Sequence, residues 1–538
     1  MRKLLLLLSP LLLSAEVSLS QLEEAPQGRV RNFNIWQFMQ QDITVSQAKS
    51  AYLLTKNYNH KIFIKYAKKT DDAKILENRR CSKLKTSALL KETNASCVNN
   101  GLGLKQALNL TKTQRLSFCK TLKPQYKQKS ELILLMNEKP FVLHVLKSGE
   151  NNYLKLFNSL GTKNRQEYFN VKLSKEHIEV LSKEKGFDKA LKYIVTDKKM
   201  HRIQESLLQL QACDVSAESY FFLALNALKL KATKKAIYYL EIAQKKAYFQ
   251  NQKDKALFWK YLISKELSYL EELSQGYDIN IYTLYAKEKL AKGFDNYFFS
   301  LNLEDKKSIL KLEDPYVWEK LLSKIKSSDK EGLQRLLEKY NTKEDEVIYA
   351  FIYSKMLRYR VHNYIMPYKK ATKNLTNDDK ALLYALARQE SHFIPSAISR
   401  SFALGVMQIM PFLIKALAKQ KKEEVELNDM FNPYKNISYA SQHIRYLKKY
   451  LFHPLFIAYA YNGGIGFTKR HLLRGTFLKG SYEPFLSMEL MSNTESREYG
   501  KKVLANYVVY KKILGEEIKL IPLLESLTQP NRTDRFRR

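Results

Sequence analysis

A mainly all-α chain is predicted by two observations. Glycine and proline are scarce, 17 and 13 of 538 residues, too few for the many tight turns of a sheet architecture. From about residue 35 to 365, apolar side chains recur at three- and four-residue steps, the spacing of one helix face. A hydrophobic share of 45% with 27% charged residues fits a folded chain with a large core, and the length allows three or four domain-sized units.

Residues 1–20 read as a secretory signal. Met1-Arg2-Lys3 gives the charge, Leu4 to Leu13 the short apolar stretch, and Ala15, Ser18 and Ser20 the small residues for cleavage after Ala15 or Ser20. The stretch is too short to span a bilayer, and no later run of 18 apolar residues is found. No cysteine lies near it for lipid attachment. The expected location is the periplasm.

Residues 21–365 read as a superhelical array of short helices. In Glu218 to Leu230, Tyr220, Leu223, Ala224, Ala227 and Leu228 share one face. Thr233 can cap a second helix that aligns Ala236, Tyr239, Leu240 and Ala243, and a third follows near Lys255. Further pieces are expected at Tyr282–Lys292, Val317–Ile325, Gly332–Tyr340 and Glu346–Leu357. Helices this short, with alanine at the contacts, suggest stacked hairpins of irregular period. Asn94 to Gly103 reads as a loop. Glu131–Met136 and Phe141–Leu146 read as strands or helix pieces. The four cysteines, Cys81, Cys97, Cys119 and Cys213, allow three pairings in an exported chain; Cys81 with Cys97 is the local choice, against free buried thiols.

The formal charge of +37 draws a chain towards anionic surfaces: cell-wall polymers, acidic lipid headgroups in peripheral membrane contact, or nucleic acid. Export argues against nucleic acid as partner. The lysines are scattered rather than blocked, so the charge also fits helix faces in water.

A boundary falls at Met366-Pro367, where Pro367 is expected to end the preceding helix. Thr376 and Asp379 then begin a helix that runs to about His392 and aligns Leu382, Leu383, Leu386 and Glu390. Glu390 is thus a lone carboxylate at the end of an apolar helix, a setting that disfavours charge and retains a proton near neutral pH. Helices follow at Phe412–Lys419, Ile437–Tyr450, Leu455–Tyr461 and Ser496–Leu514, with a break at Asn462-Gly-Gly-Ile-Gly466. Residues 521–538 read as a basic tail, its end from Arg532 to Arg538 disordered. His392 points away from Glu390 on a helix, none of the nine histidines forms an HExxH pair, and no metal or cofactor is expected.

Three ordered motifs carry a resemblance. Ala387-Arg-Gln-Glu-Ser-His-Phe with Gly405-Val-Met-Gln-Ile-Met-Pro411 resembles the glutamate motif of the lysozyme-like soluble lytic transglycosylases. Ala460-Tyr-Asn-Gly-Gly-Ile-Gly466 resembles their tyrosine-asparagine-glycine turn, and Glu495-Ser-Arg-Glu-Tyr499 their glutamate-x-arginine-x-tyrosine helix start. The resemblance implies a lysozyme-like domain over residues 366–520, behind a superhelix like that of the large exported members. It implies cleavage of the N-acetylmuramic acid–β-1,4–N-acetylglucosamine bond of peptidoglycan strands, with the muramoyl C6 hydroxyl closing on C1 to leave a 1,6-anhydro sugar. Glu390 is then the single catalytic acid and base. Ser399 matches a serine that bonds the glutamate, Gln408 and Met410 match groove residues, and Tyr461 matches a tyrosine whose hydroxyl approaches the acid. Asn462 shapes the same wall, and Glu495 contacts substrate or orients the cleft. Rival readings are a goose-type lysozyme that hydrolyses the same bond and a non-catalytic scaffold whose array docks cell-wall synthesis proteins. Phe402-Ala403 stands where the family has Gly-Ala. Phe does not take a positive φ cheaply, so the loop is expected to differ and the groove floor to narrow. Gly463 and Ile465 stand where Ala and Pro are usual.

Overall fold

The computed structural model describes residues 17–211 and 213–537. The greater part of the signal reading, residues 1–16, lies outside them. Among the described residues regular structure is almost entirely helical; Tyr297–Phe298 and His362–Asn363 form a two-residue parallel pair. No described helix is long and apolar enough to cross a membrane.

The array is clearest at Ala217–Lys229, Thr233–Lys246 and Gln250–Ser264, each packed on the next. Ala224, Ala227 and Ala236 are fully buried where these helices meet, because a methyl group lets two backbones approach closely. Ser216 caps the first helix, its Oγ accepting from the Ser219 backbone N–H. The second opens at Thr233 with Ala232, not Thr233, in the capping position. Helices Ile281–Lys289, Pro315–Ser327, Lys330–Lys339 and Glu346–Met356 lie where periodicity places them.

Two expectations are corrected here. Asn94 to Gly103 is largely helix, Ala95–Gly101: Asn94 Oδ1 accepts from the Ser96 and Cys97 N–H groups, and Val98 is buried. Of the two readings open for Glu131–Met136 and Phe141–Leu146, helix is the one formed, at Lys127–Leu135 and Phe141–Lys147. Pro367 does not end the preceding helix, which stops at Met356, before left-handed Arg358 and Tyr359. The Cys81–Cys97 disulfide is present, and Cys119 and Cys213 are free.

The first helices return to the end of the chain. Arg29 donates its backbone N–H to Glu319 on Pro315–Ser327 and its guanidinium to the Ile398 carbonyl at 2.9 Å. Asn59 and Lys61 donate to the Arg400 and Ser401 carbonyls. The last described residues are not a disordered tail: Leu520–Ser526 and Pro530–Thr533 are helices, Asp534 is fully buried against Arg537, and Arg537 donates to the Thr476 and Phe477 carbonyls. The positive charges of this segment are used internally.

Candidate active site

Glu390 sits in the last turn of helix Asn377–Ser391, which Thr376 caps through the Asp379 N–H at 3.1 Å. Ala381 through Ala387 are buried, so the helix carries its acid out of an apolar core. It ends in two left-handed residues, His392 and Phe393. The exposed His392 closes the helix and meets the Phe351 ring edge-on, and the chain turns back beneath the acid. Ser391 Oγ donates to the Val406 carbonyl at 2.7 Å and ties that return to the helix.

The returning loop is held by backbone bridges Ile398–Leu404 and Leu404–Ile409. Phe402, Gly405 and Gln408 have φ of +59°, +78° and +47°. At Gly405 a Cβ would lie 2.3 Å from both Asn436 Nδ2 and the Met430 carbonyl, so only glycine fits. Asn436 donates to the Leu404 and Met430 carbonyls and accepts from the Met407 N–H. Phe402 does adopt the left-handed conformation that glycine usually serves. Its fully buried ring packs on Phe33 and Trp36, at centroid distances of 5.7 and 5.4 Å. Burying a phenyl ring contributes about 3 kcal/mol, against a left-handed cost of about 1–2 kcal/mol. Burial wins, and the ring goes into the array rather than into a narrowed groove.

The opposite wall comes from helices Pro454–Gly463 and Thr494–Ile513. Tyr499 donates its hydroxyl to Glu390 Oε1 at 2.7 Å. Burial pushes the Glu390 carboxyl up to about 7; the Tyr499 bond opposes this and the charge of Glu495 adds to it. Burial and the adjacent Glu390 hold the Tyr499 phenol well above its ordinary range, so it remains a donor. Asn462 donates to Glu495 at 3.2 Å and accepts from Ser496 Oγ at 2.7 Å, joining the two helices. Gly463 is explained here: a Cβ would lie 2.8 Å from Ser496 Oγ.

One predicted bond, from Ser399, is not formed, and Tyr461 approaches the acid without bonding it. Ser399 Oγ accepts from the Ala403 N–H at 2.9 Å, within its own loop, rather than bonding Glu390. The Tyr461 hydroxyl donates to the Met407 carbonyl at 2.8 Å, close enough to Glu390 for their charges to interact but bonded elsewhere. Gln408 spends its amide N–H groups on the Ala397 and Gly405 carbonyls, and half-buried Met410 opens helix Pro411–Lys421. Tyr499 is the contact that sequence reasoning missed; its spacing of four from Glu495 places both on one helix face. A separate cleft of about 1410 Å³ lies between Gly28–Lys61, helix Pro315–Ser327 and Ser396–Phe402; its walls do not include Glu390.

Residues 367–480 match the family model of the transglycosylase SLT domain. Over 160 residues the chain is 32% identical to a Haemophilus influenzae protein described as a soluble lytic murein transglycosylase, covering 29% of this chain and 26% of that one. The chain therefore spans about a quarter of the length of that curated relative. In fold it is similar to an inactive mutant of the lytic transglycosylase Slt from Pseudomonas aeruginosa: TM-score 0.51 at 13% identity, over 92% of this chain and 83% of that one. The 70 kDa soluble lytic transglycosylase from Escherichia coli aligns with a TM-score of 0.49 at 16% identity, over 96% and 85% of the two chains. Residues 367–480 thus form a transglycosylase SLT domain.

Proposed function

We propose that the chain is a peptidoglycan lytic transglycosylase in which Glu390 is the single acid and base. The observation that carries the reading is the Glu390 carboxyl itself, pushed up to about 7 and bonded by one neutral donor, Tyr499. Such a group is substantially protonated near neutrality and can protonate the glycosidic oxygen as its bond to C1 breaks. The carboxylate left behind is stabilised by Tyr499. It then takes the proton of the muramoyl C6 hydroxyl as that oxygen closes on C1, so the proton returns to where it began. The nucleophile belongs to the substrate, and oriented intramolecular attack offers effective molarities of roughly 10⁵ M or more, so no second carboxylate is required as nucleophile. Glu495, held by Asn462, discourages premature ionisation of Glu390. Gln408, Met410 and Tyr461 line the groove, and residues 21–365 support the domain in the periplasm.

Glu495 also favours a second reading, hydrolysis, with Glu495 as base for a water molecule. Mass spectrometry of products from intact sacculi separates the two. Anhydro ends are expected; reducing ends would establish hydrolysis. Products from the Glu390→Gln variant would remove Glu390 from the mechanism.

A further inference from the structure

We propose that Glu218 and Tyr282, both in the helical array, are positioning residues for Glu390 and act through helix Thr494–Ile513. The inference rests on the proposed role of Glu390 as catalytic acid.

Helix Thr494–Ile513 has two working faces. Glu495 and Tyr499, four residues apart, face Glu390. Arg497 and Lys501, also four apart but displaced by two residues, lie about 160–200° round the axis, towards the array. They enter an enclosed polar cluster. Arg497 is 1% exposed, Glu489 2% and Lys501 4%. Arg497 pairs with Glu218 of Ala217–Lys229 and with Glu498 at 2.9 Å, and its guanidinium lies 5.1 Å over the Phe222 ring. Lys501 donates to Glu489 at 2.9 and 3.0 Å, to Glu498 at 3.1 Å and to the Tyr282 hydroxyl at 3.1 Å. Tyr282, on Ile281–Lys289, donates to Glu489 at 2.6 Å. Buried Lys255 of the array lies 4.2 Å over Phe221, and its charge interacts with Glu498 and Glu489. Three cations thus face three carboxylates, of which Glu489 is buried while the side chains of Glu218 and Glu498 are 35% and 32% exposed.

Directional bonds of this kind resist rotation and sliding far more strongly than apolar contacts do. One end is anchored in the array and the other in the helix that presents Tyr499. Slippage of that helix lengthens the Tyr499–Glu390 bond directly. The groups facing Glu390 are Tyr499, Tyr461 and Glu495; on its own helix, Arg388 is turned away to Asn363 and Asn506. Losing the Tyr499 bond therefore leaves burial and Glu495 unopposed, and Glu390 holds its proton to higher pH.

The test uses the full chain with Tyr282→Phe and Glu218→Gln, beside Tyr499→Phe. Glu218 is 35% exposed in its side chain, and glutamine there keeps an oxygen that can accept from Arg497. The expected result is a kcat about 10- to 100-fold lower on soluble glycan strands, KM within about twofold, and an alkaline limb of the pH–kcat profile moved upward in all three variants. Combining Tyr282→Phe with Tyr499→Phe should add little further displacement of that limb. An infrared difference spectrum against Glu390→Gln reads the same carboxyl titration without turnover. A fall in melting temperature with the limb and the carboxyl titration unmoved overturns the proposal. A wild-type chain that cleaves no glycan instead overturns the assigned activity, and the infrared titration still decides the coupling.

Discussion

Replacing Glu390 by Gln separates the chemistry of this acid from its cost to the fold. Burial moves the carboxyl from its ordinary 4.5 to about 7. An acid with a raised pKa binds its proton more tightly in the folded chain than in the unfolded one. Between about pH 4.5 and 7 the folded state therefore carries extra protons, and stability is lost as pH rises through that window. Above it the loss is complete. A difference of about 2.5 at 1.36 kcal/mol each gives about 3 kcal/mol as an upper figure, since the side chain keeps some contact with water. The Gln variant cannot ionise, and its amide oxygen still accepts from Tyr499. It is expected to match wild type near pH 4.5, to be more stable by up to about 3 kcal/mol at pH 8, and to cleave no glycan at either pH. Hydrogen exchange of helix Asn377–Ser391, compared between variant and wild type at each pH, measures this even where an array and a domain open in steps. Equal protection of the two proteins at pH 8 would refute the argument that ionisation is costly here.

Phe402→Gly relieves a strained backbone but forfeits the buried ring; with about 3–5 kcal/mol for the lost side chain and about 1–2 regained, the variant should be about 2 kcal/mol less stable, and a raised urea midpoint would invert that ranking. Gly405→Ala should disorder the loop, because its Cβ would fall 2.3 Å from Asn436 and Met430; unchanged activity and melting temperature would contradict this. Ser399→Ala should leave the alkaline limb of the pH–kcat profile in place, because its hydroxyl serves Ala403 rather than Glu390; a moved limb would restore the bond predicted by resemblance.

The helices of the array were legible because burial imposes its spacing directly on the chain, as at Ala224, Ala227 and Ala236. Ala95–Gly101 was not, since it is polar and rests on a cap, one buried valine and a disulfide rather than on an apolar stripe. Glu390 could be found because a carboxylate on a greasy helix is locally anomalous. Tyr499 stands in the third motif, but its bond to Glu390 was not legible, because that partner lies 109 residues away. The left-handed Phe402 was unreadable for a related reason, as its compensation comes from Phe33 and Trp36, over 360 positions earlier. The terminal arginines read as solvated charge from sequence alone, whereas Arg537 satisfies carbonyls beneath it.

The grip of Arg29, Asn59 and Lys61 on the Ile398–Ser401 carbonyls has a consequence for how the molecule can be divided. A fragment beginning at residue 367 would contain every side chain placed around Glu390, yet it would expose the Phe402 ring to water and leave those carbonyls without their donors. The loop that follows Glu390 is finished only when the earliest helices dock upon it, so excising the C-terminal third should yield a looser catalyst than the intact chain.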